Sequence, residues 1–234
     1  MEGQEIAKKE AGTSSAEAES LPEHQKVGGA EAMYLIEEAT YTIAPEHMKI
    51  LLKRIPEDQL TPEKLMLVLI NLLALECGFQ YRNNYPEELL VDGRELWGLY
   101  NFTRMKILAA DVPIEWLLCS SGSFQEHHLY LFHCFEEFTL VTNTTADLLC
   151  VTLTSKHTAG SSVALSIPRY IPIIHRQNIL RSFRNLPELS LRLKNKLFLP
   201  TRDMFMQMNH PCRPYPSLMH IPEVVKRKIL KLLP

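Results

Sequence analysis

The stretch Leu65–Leu75 is apolar at every position except Asn71, and a helix with no polar stripe must be covered on most sides. At roughly half the ~20 residues needed to cross a bilayer, it does not read as a membrane span. The rest of the chain has to cover it. Its ends are marked as well: Thr61 can cap, Pro62 fits the first helical position, Glu63 complements the positive helix end, and Gly78 can stop the helix after about Cys77. We read it as the central core helix of a folded domain, in keeping with a chain of 234 residues that is 46% hydrophobic and 22% charged.

Residues 1–30 form an acidic tail of Ala, Glu, Ser and Lys, with too few large apolar residues to offset the entropy of ordering. That tail lacks the apolar stretch and cleavage pattern of a secretory signal, so the expected location is cytoplasmic or nuclear. Between the tail and the core helix, Met48, Leu51 and Leu52 follow Pro45 and predict a short helix from Glu46 to Ile55.

Beyond the polar loop Gln80–Gly93 the pattern turns to period two. Six stretches read as strands: residues 96–108, 114–121, 127–135, 137–145, 148–155 and 161–167. Most gaps between them are too short for crossover helices, which predicts an antiparallel sheet of five to six strands packed with helices, an α+β fold. Leu129 and Leu131 would lie on one face and Tyr130 and Phe132 on the other, so both faces call for cover, from helices or from another protein. From about His175 the helical period returns through Ile179, Leu180, Phe183, Leu186, Leu189, Leu193 and Leu197, then Met204, Phe205 and Met208, with Pro187 and Pro200 able to restart a turn. Residues 209–217 hold three prolines and read as a linker, and residues 218–234 as an amphipathic helix with Ile221, Val224, Val225, Ile229 and Leu230 on one face.

Charge is uneven along the chain: residues 31–168 carry 9 basic and 18 acidic side chains, residues 169–234 carry 13 and 3. A basic end can mean nucleic acid, but aromatic residues for base stacking are sparse there, and solvated helix faces that offset an acidic body are the simpler reading. No nucleic-acid or membrane partner is expected. Catalytic signals are also missing, since the sequence contains no nucleophile elbow, zinc-protease motif or phosphate loop. Five widely spaced cysteines without a C-x-x-C argue against a disulfide framework or zinc site. Cys119, His127 and His133 match no ligand spacing, and His127 and His128, as strand neighbours, would point to opposite faces. Glu136 and Glu137 read as a solvated hairpin tip rather than a catalytic pair. We expect no catalytic residue, metal or cofactor; the competing reading is a small-ligand or enzymatic α/β domain with a pocket that spacing does not reveal.

The order of elements is more informative than any one residue. LMLVLINLLALECGF, the strands around HHLYLFHCFEEFTLVTNTT and SSVALSIPRYI, and FRNLPELSLRLKNKLFLPTRDMF resemble the FP domain shared by F-box only protein seven, Nutcracker and a proteasome inhibitor. The resemblance covers about residues 33–208, within an expected domain of residues 31–208. HIPEVVKRKILKLLP, just after it, resembles the first helix of an F-box. The resemblance implies a non-catalytic adaptor of the ubiquitin–proteasome pathway that forms homodimers, or heterodimers with the FP-domain proteasome inhibitor. Tyr130, Phe132, Phe138 and Leu140 are the candidate dimer contacts, unless they pack under the chain's own helices. In a complete F-box, Ile221, Pro222, Val225, Ile229 and Leu230 would face the Skp1 adaptor of a cullin-type ligase. Pro234 falls at the end of that opening helix, which leaves the F-box incomplete. Residues 1–234 are therefore expected not to retain Skp1 in a pull-down, and a longer form carrying the whole F-box to do so; firm one-to-one retention by residues 1–234 would overturn this.

Overall fold

The computed structural model describes residues 35–81, 90–91, 94–95, 102–114, 117, 124–131, 136–157 and 160–209. The expected tail of residues 1–30, nearly all of the linker and the F-box-like segment lie outside them. A 3-10 turn, Ile36–Glu38, comes first, followed by α1 (Glu46–Lys53), the 3-10 turn Glu57–Gln59 and α2 (Pro62–Glu76). Thr61 Oγ1 accepts from Lys64 N at 3.3 Å, and Pro62 opens α2. Every residue from Leu65 to Glu76 is buried, as an apolar surface on all sides requires. Asn71, the polar interruption, donates through Nδ2 to Leu67 O at 2.7 Å and accepts from the Tyr81 hydroxyl. Gly78 ends the helix at φ 97°, a left-handed conformation that a side chain would strain.

The chain then enters β1 (Phe79–Gln80), the short antiparallel pair β2 (Leu90–Val91) and β3 (Arg94–Glu95), and α3 (Phe102–Asp111). Helix α3 replaces the strand expected over residues 96–108, and residues 114 and 117, inside the second expected strand, are also helical. Burial explains the difference: Arg104, Met105, Leu108, Ala109 and Val112 are buried, which is helical spacing, whereas the period-two reading relied on aromatic and β-branched residues such as Phe102 and Ile107. Arg54 Nη1 donates to Ala109 O at 3.0 Å and satisfies a carbonyl at the end of α3.

The other four expected strands are present as β4 (Phe124–Leu131), β5 (Glu137–Thr145), β6 (Leu148–Ser155) and β7 (Ser161–Ser166). With β1 they make a five-stranded antiparallel sheet in the order β1-β4-β5-β6-β7. The fold is α+β. Its inner face packs on the helices, and Phe138 sits at its centre, with ring centroids 5.3 Å from Phe79 and 5.5 Å from Phe205. After β7 come the single turn α4 (Ile167–Tyr170), a 3-10 turn Ile179–Ser182, α5 (Leu186–Leu193), a π-helical turn Lys194–Phe198 and α6 (Leu199–Asn209). Pro200 does not interrupt this last run. A proline ring clashes with the carbonyl four residues back, and the widened π turn just before it gives that carbonyl room.

A buried charge cluster joins the first turn to the helices. Lys194 Nζ lies 2.6 Å from Glu37 Oε2 and 2.7 Å from Glu76 Oε2. Glu76 Oε1 accepts from Ile36 N and contacts His47 Nε2, both at 2.9 Å, while Ser190 Oγ donates to Glu37 Oε2 at 2.5 Å. Burial pushes the Glu37 carboxyl up, but the bonds from Lys194 and Ser190 outweigh it and hold it below the usual range. Burial likewise pushes Lys194 down, and the two carboxylates outweigh that and raise it. Glu37 therefore stabilises the fold above its unfolded pKa and loses that contribution as pH falls through its folded value; Lys194 stabilises below its unfolded pKa and loses it as pH rises through its folded value. Urea unfolding of Lys194→Met should show a loss of about 3–5 kcal/mol, since buried Glu76 and half-buried Glu37 lose their cation. Stability of the unaltered chain should fall off below about pH 4 and above about pH 10.4, with both slopes flattened in the variant.

Candidate functional site

Alternation and register divide the sheet into two unlike faces. In β4, His127, Leu129 and Leu131 are buried, whereas Phe124, Glu126 and His128 are exposed and Tyr130 is half-buried. His127 and His128 thus face opposite sides, as strand neighbours must. The register pairs His128 with Thr139 and Tyr130 with Glu137, so even-numbered residues of β4 share a face with odd-numbered residues of β5. The outer face continues through Val141 and Asn143, then Leu148, Cys150, Thr152 and Thr154 of β6, and Ser162 and Ala164 of β7. Each of its residues is exposed or half-buried.

This parity separates the four sequence candidates. Tyr130 belongs to the outer face, and Phe132 lies outside the described residues. Phe138 and Leu140 are 0% exposed on the inner face, against α6 and β1 in the case of Phe138, and so have no side-chain surface to offer a partner. Sequence reasoning missed Phe124 and Leu148, 58% and 50% exposed, together with half-buried Val141. Alternation within each strand was visible, but the register linking one strand's parity to the next was not. The F-box-like residues Ile221, Pro222, Val225, Ile229 and Leu230 lie outside the described residues.

Few charges interrupt the outer face. His128 Nδ1 pairs with Glu137 Oε1 at 2.7 Å, and Thr152 Oγ1 lies 2.8 Å from Ser162 Oγ. Much of the rest is hydroxyl, methyl and ring surface, with β7 as the edge strand. Beneath the sheet a polar cluster of Asn71, Tyr81, Gln125 and His127 has a structural use, namely satisfying Asn71 inside α2. The Tyr81 and His127 rings meet edge-on at 6.4 Å, and His127 Nε2 lies 3.3 Å from Gln125 Oε1. Burial, with His128 adding to it, holds the His127 imidazole below its usual range, and burial pushes the Tyr81 phenol up. Among the described residues no three His, Cys, Asp or Glu side chains gather as a metal site would require.

The two faces should respond differently to truncation. Phe138→Ala should cost about 3–5 kcal/mol in urea unfolding, while Thr139→Ala, one position along on the outer face, should stay within about 0.5 kcal/mol. Equal losses would contradict the register.

No protein-family model matches the chain. It is 30% identical over 218 residues to Protein nutcracker of Drosophila melanogaster, a match covering 85% of this chain and 68% of the fly protein. An α+β fold, a five-stranded antiparallel sheet packed on a buried helix, accompanies that identity. The chain belongs to the family of Nutcracker and F-box only protein seven, F-box-type relatives associated with the ubiquitin–proteasome pathway.

Proposed function

We propose that this chain is a non-catalytic interaction protein of the ubiquitin–proteasome pathway, whose α+β domain pairs through the outer face of its sheet with a second copy or with the FP domain of a proteasome inhibitor. One observation supports this most directly: the face carries Phe124 and Leu148 exposed beside Tyr130 and Val141, with His128–Glu137 the one close ion pair on it among the described residues. Four strands ~4.8 Å apart and about eight residues long project an area of about 500 Å². Side-chain relief enlarges this toward the ~800 Å² per partner of a stable interface.

In the same reading, residues 218–234 serve as the opening helix of an F-box, with Ile221, Pro222, Val225, Ile229 and Leu230 as its contacts to Skp1. The domain then brings a second FP protein to the ligase. No reacting group is assigned to it.

Light scattering of the chain, alone and mixed with an FP-domain proteasome inhibitor, tests the pairing. The expected result is a dimer mass in at least one sample. Leu148→Lys should weaken it by about tenfold or more, by placing a charge where an apolar side chain meets the partner, while Leu191→Lys on the exposed side of α5 should not. A monomer mass in both samples at every concentration would refute the reading.

A further inference from the structure

The segment between α4 and α5 is a closed loop outside the sheet. Arg184 N donates to Tyr170 O at 2.8 Å and ties its ends together. Inside, His175 N donates to Ser182 Oγ at 2.7 Å, Asn178 Oδ1 accepts from Leu180 N at 3.1 Å, and Arg181 N donates to Asn178 O at 3.0 Å. Ile171, Ser182 and Phe183 anchor it in the interior. Asn178 Nδ2 reaches Tyr41 O at 3.4 Å and joins the loop to the segment before α1. This is a compact loop fastened at both ends and cross-braced along its backbone.

The ionisable side chains it exposes are all basic. His175, Arg176, Arg181 and Arg184 are exposed, and residues 171–187 contain no Asp or Glu. The arginines and the buried lysine nearer the core are engaged: Arg169 by Glu188, Arg202 by Asp203, Lys194 by Glu37 and Glu76, Arg54 by Ala109 O. The guanidinium groups of Arg176, Arg181 and Arg184 have no such partner among the described residues. Glu188, the next acid along the chain, is taken by Arg169 and the Tyr170 hydroxyl. Beside these cations Ile173 is 64% exposed, and across the Asn178 bond Tyr41 and Ile43 are 61% and 44% exposed. Three like charges on one short loop repel one another, and an external anion relieves that.

We propose that the exposed side of the 171–184 loop, with Tyr41 and Ile43, is a docking site for an acidic peptide segment of a partner protein, carboxylates meeting Arg176, Arg181 and Arg184 and an aliphatic residue meeting Ile173. Guanidinium forks suit carboxylates, and the exposed isoleucine has no use in a phosphate-only contact. The site is separate from the sheet pairing proposed above and does not depend on it.

A display library of random twelve-residue peptides, panned on the whole chain, provides the test. Enriched peptides are expected to be rich in Asp and Glu with at least one aliphatic residue. Synthetic copies should lose about tenfold in affinity on the R176A/R181A/R184A chain, weaken with added salt, and bind less well to Ile173→Ser. The triple variant should keep the wild-type circular dichroism spectrum and light-scattering mass. Neutral or basic enriched peptides, or equal affinity for the triple variant, would overturn the proposal. So would displacement of the peptide by a single-stranded oligonucleotide at lower concentration, since the loop would then be reading phosphate, or a triple variant that loses its dimer mass along with peptide binding, since the loop would then belong to the pairing interface.

Discussion

Lys194 sits almost wholly out of water between Glu37 and Glu76, and the arrangement of the helices around α2 depends on that contact. An ammonium group moved into the interior without compensation is too costly to persist. Its position therefore requires both carboxylates, and so requires that the Ile36–Glu38 turn, the last residue of α2 and the turn after α5 meet at one point. Glu76 also accepts the Ile36 amide and touches His47, which brings α1 into the same knot. Packing of apolar residues tolerates substitution; a charge cluster of this kind accepts one arrangement only. It fixes where the core helix ends and where the chain leaves it.

The sheet hangs from that fixed point. Gly78 turns the chain out of α2 into β1, and Phe79 then meets Phe138 and Phe198 within 6 Å, centroid to centroid. The inner face is thereby committed to the helices. The outer face is left with exposed and half-buried apolar groups among hydroxyls, and the pairing proposed for it rests on how the interior was filled. The basic loop after α4 is a different kind of surface, braced by hydrogen bonds to its own backbone and facing another part of the molecule's surroundings.

Legibility of the fold in the sequence varied with the physics involved. Helix α2 could be read nearly residue by residue, because its cap, its proline, its apolar body and its stopping glycine all act locally. Four strands were equally plain from alternation. Helix α3 was misread because Phe102, Thr103 and Ile107 favour strands by propensity, whereas the position of the core favoured burial of Arg104, Leu108 and Ala109 along one helical side. The candidate surface was half visible: Tyr130 follows from alternation in β4, but whether Phe138 shares its face depends on a register set by contacts between strands. Nothing local encodes that. The charge cluster was invisible for the same reason, since Glu37 and Lys194 are 157 residues apart.

The π turn ahead of Pro200 has a consequence for how this chain can vary. A turn of that kind holds one more residue than an ordinary helical turn, so it rotates everything downstream by about 100° around the helix axis. With it, Thr201 and Phe205 look inward while Met204 and Met208 look out. Removing a single residue from positions 194–198 would leave the helix intact yet swing the phenyl ring out of its nest and bring a thioether toward it. Length in this short stretch is therefore under tighter constraint than residue identity, and relatives that differ freely in sequence across it should still agree in spacing.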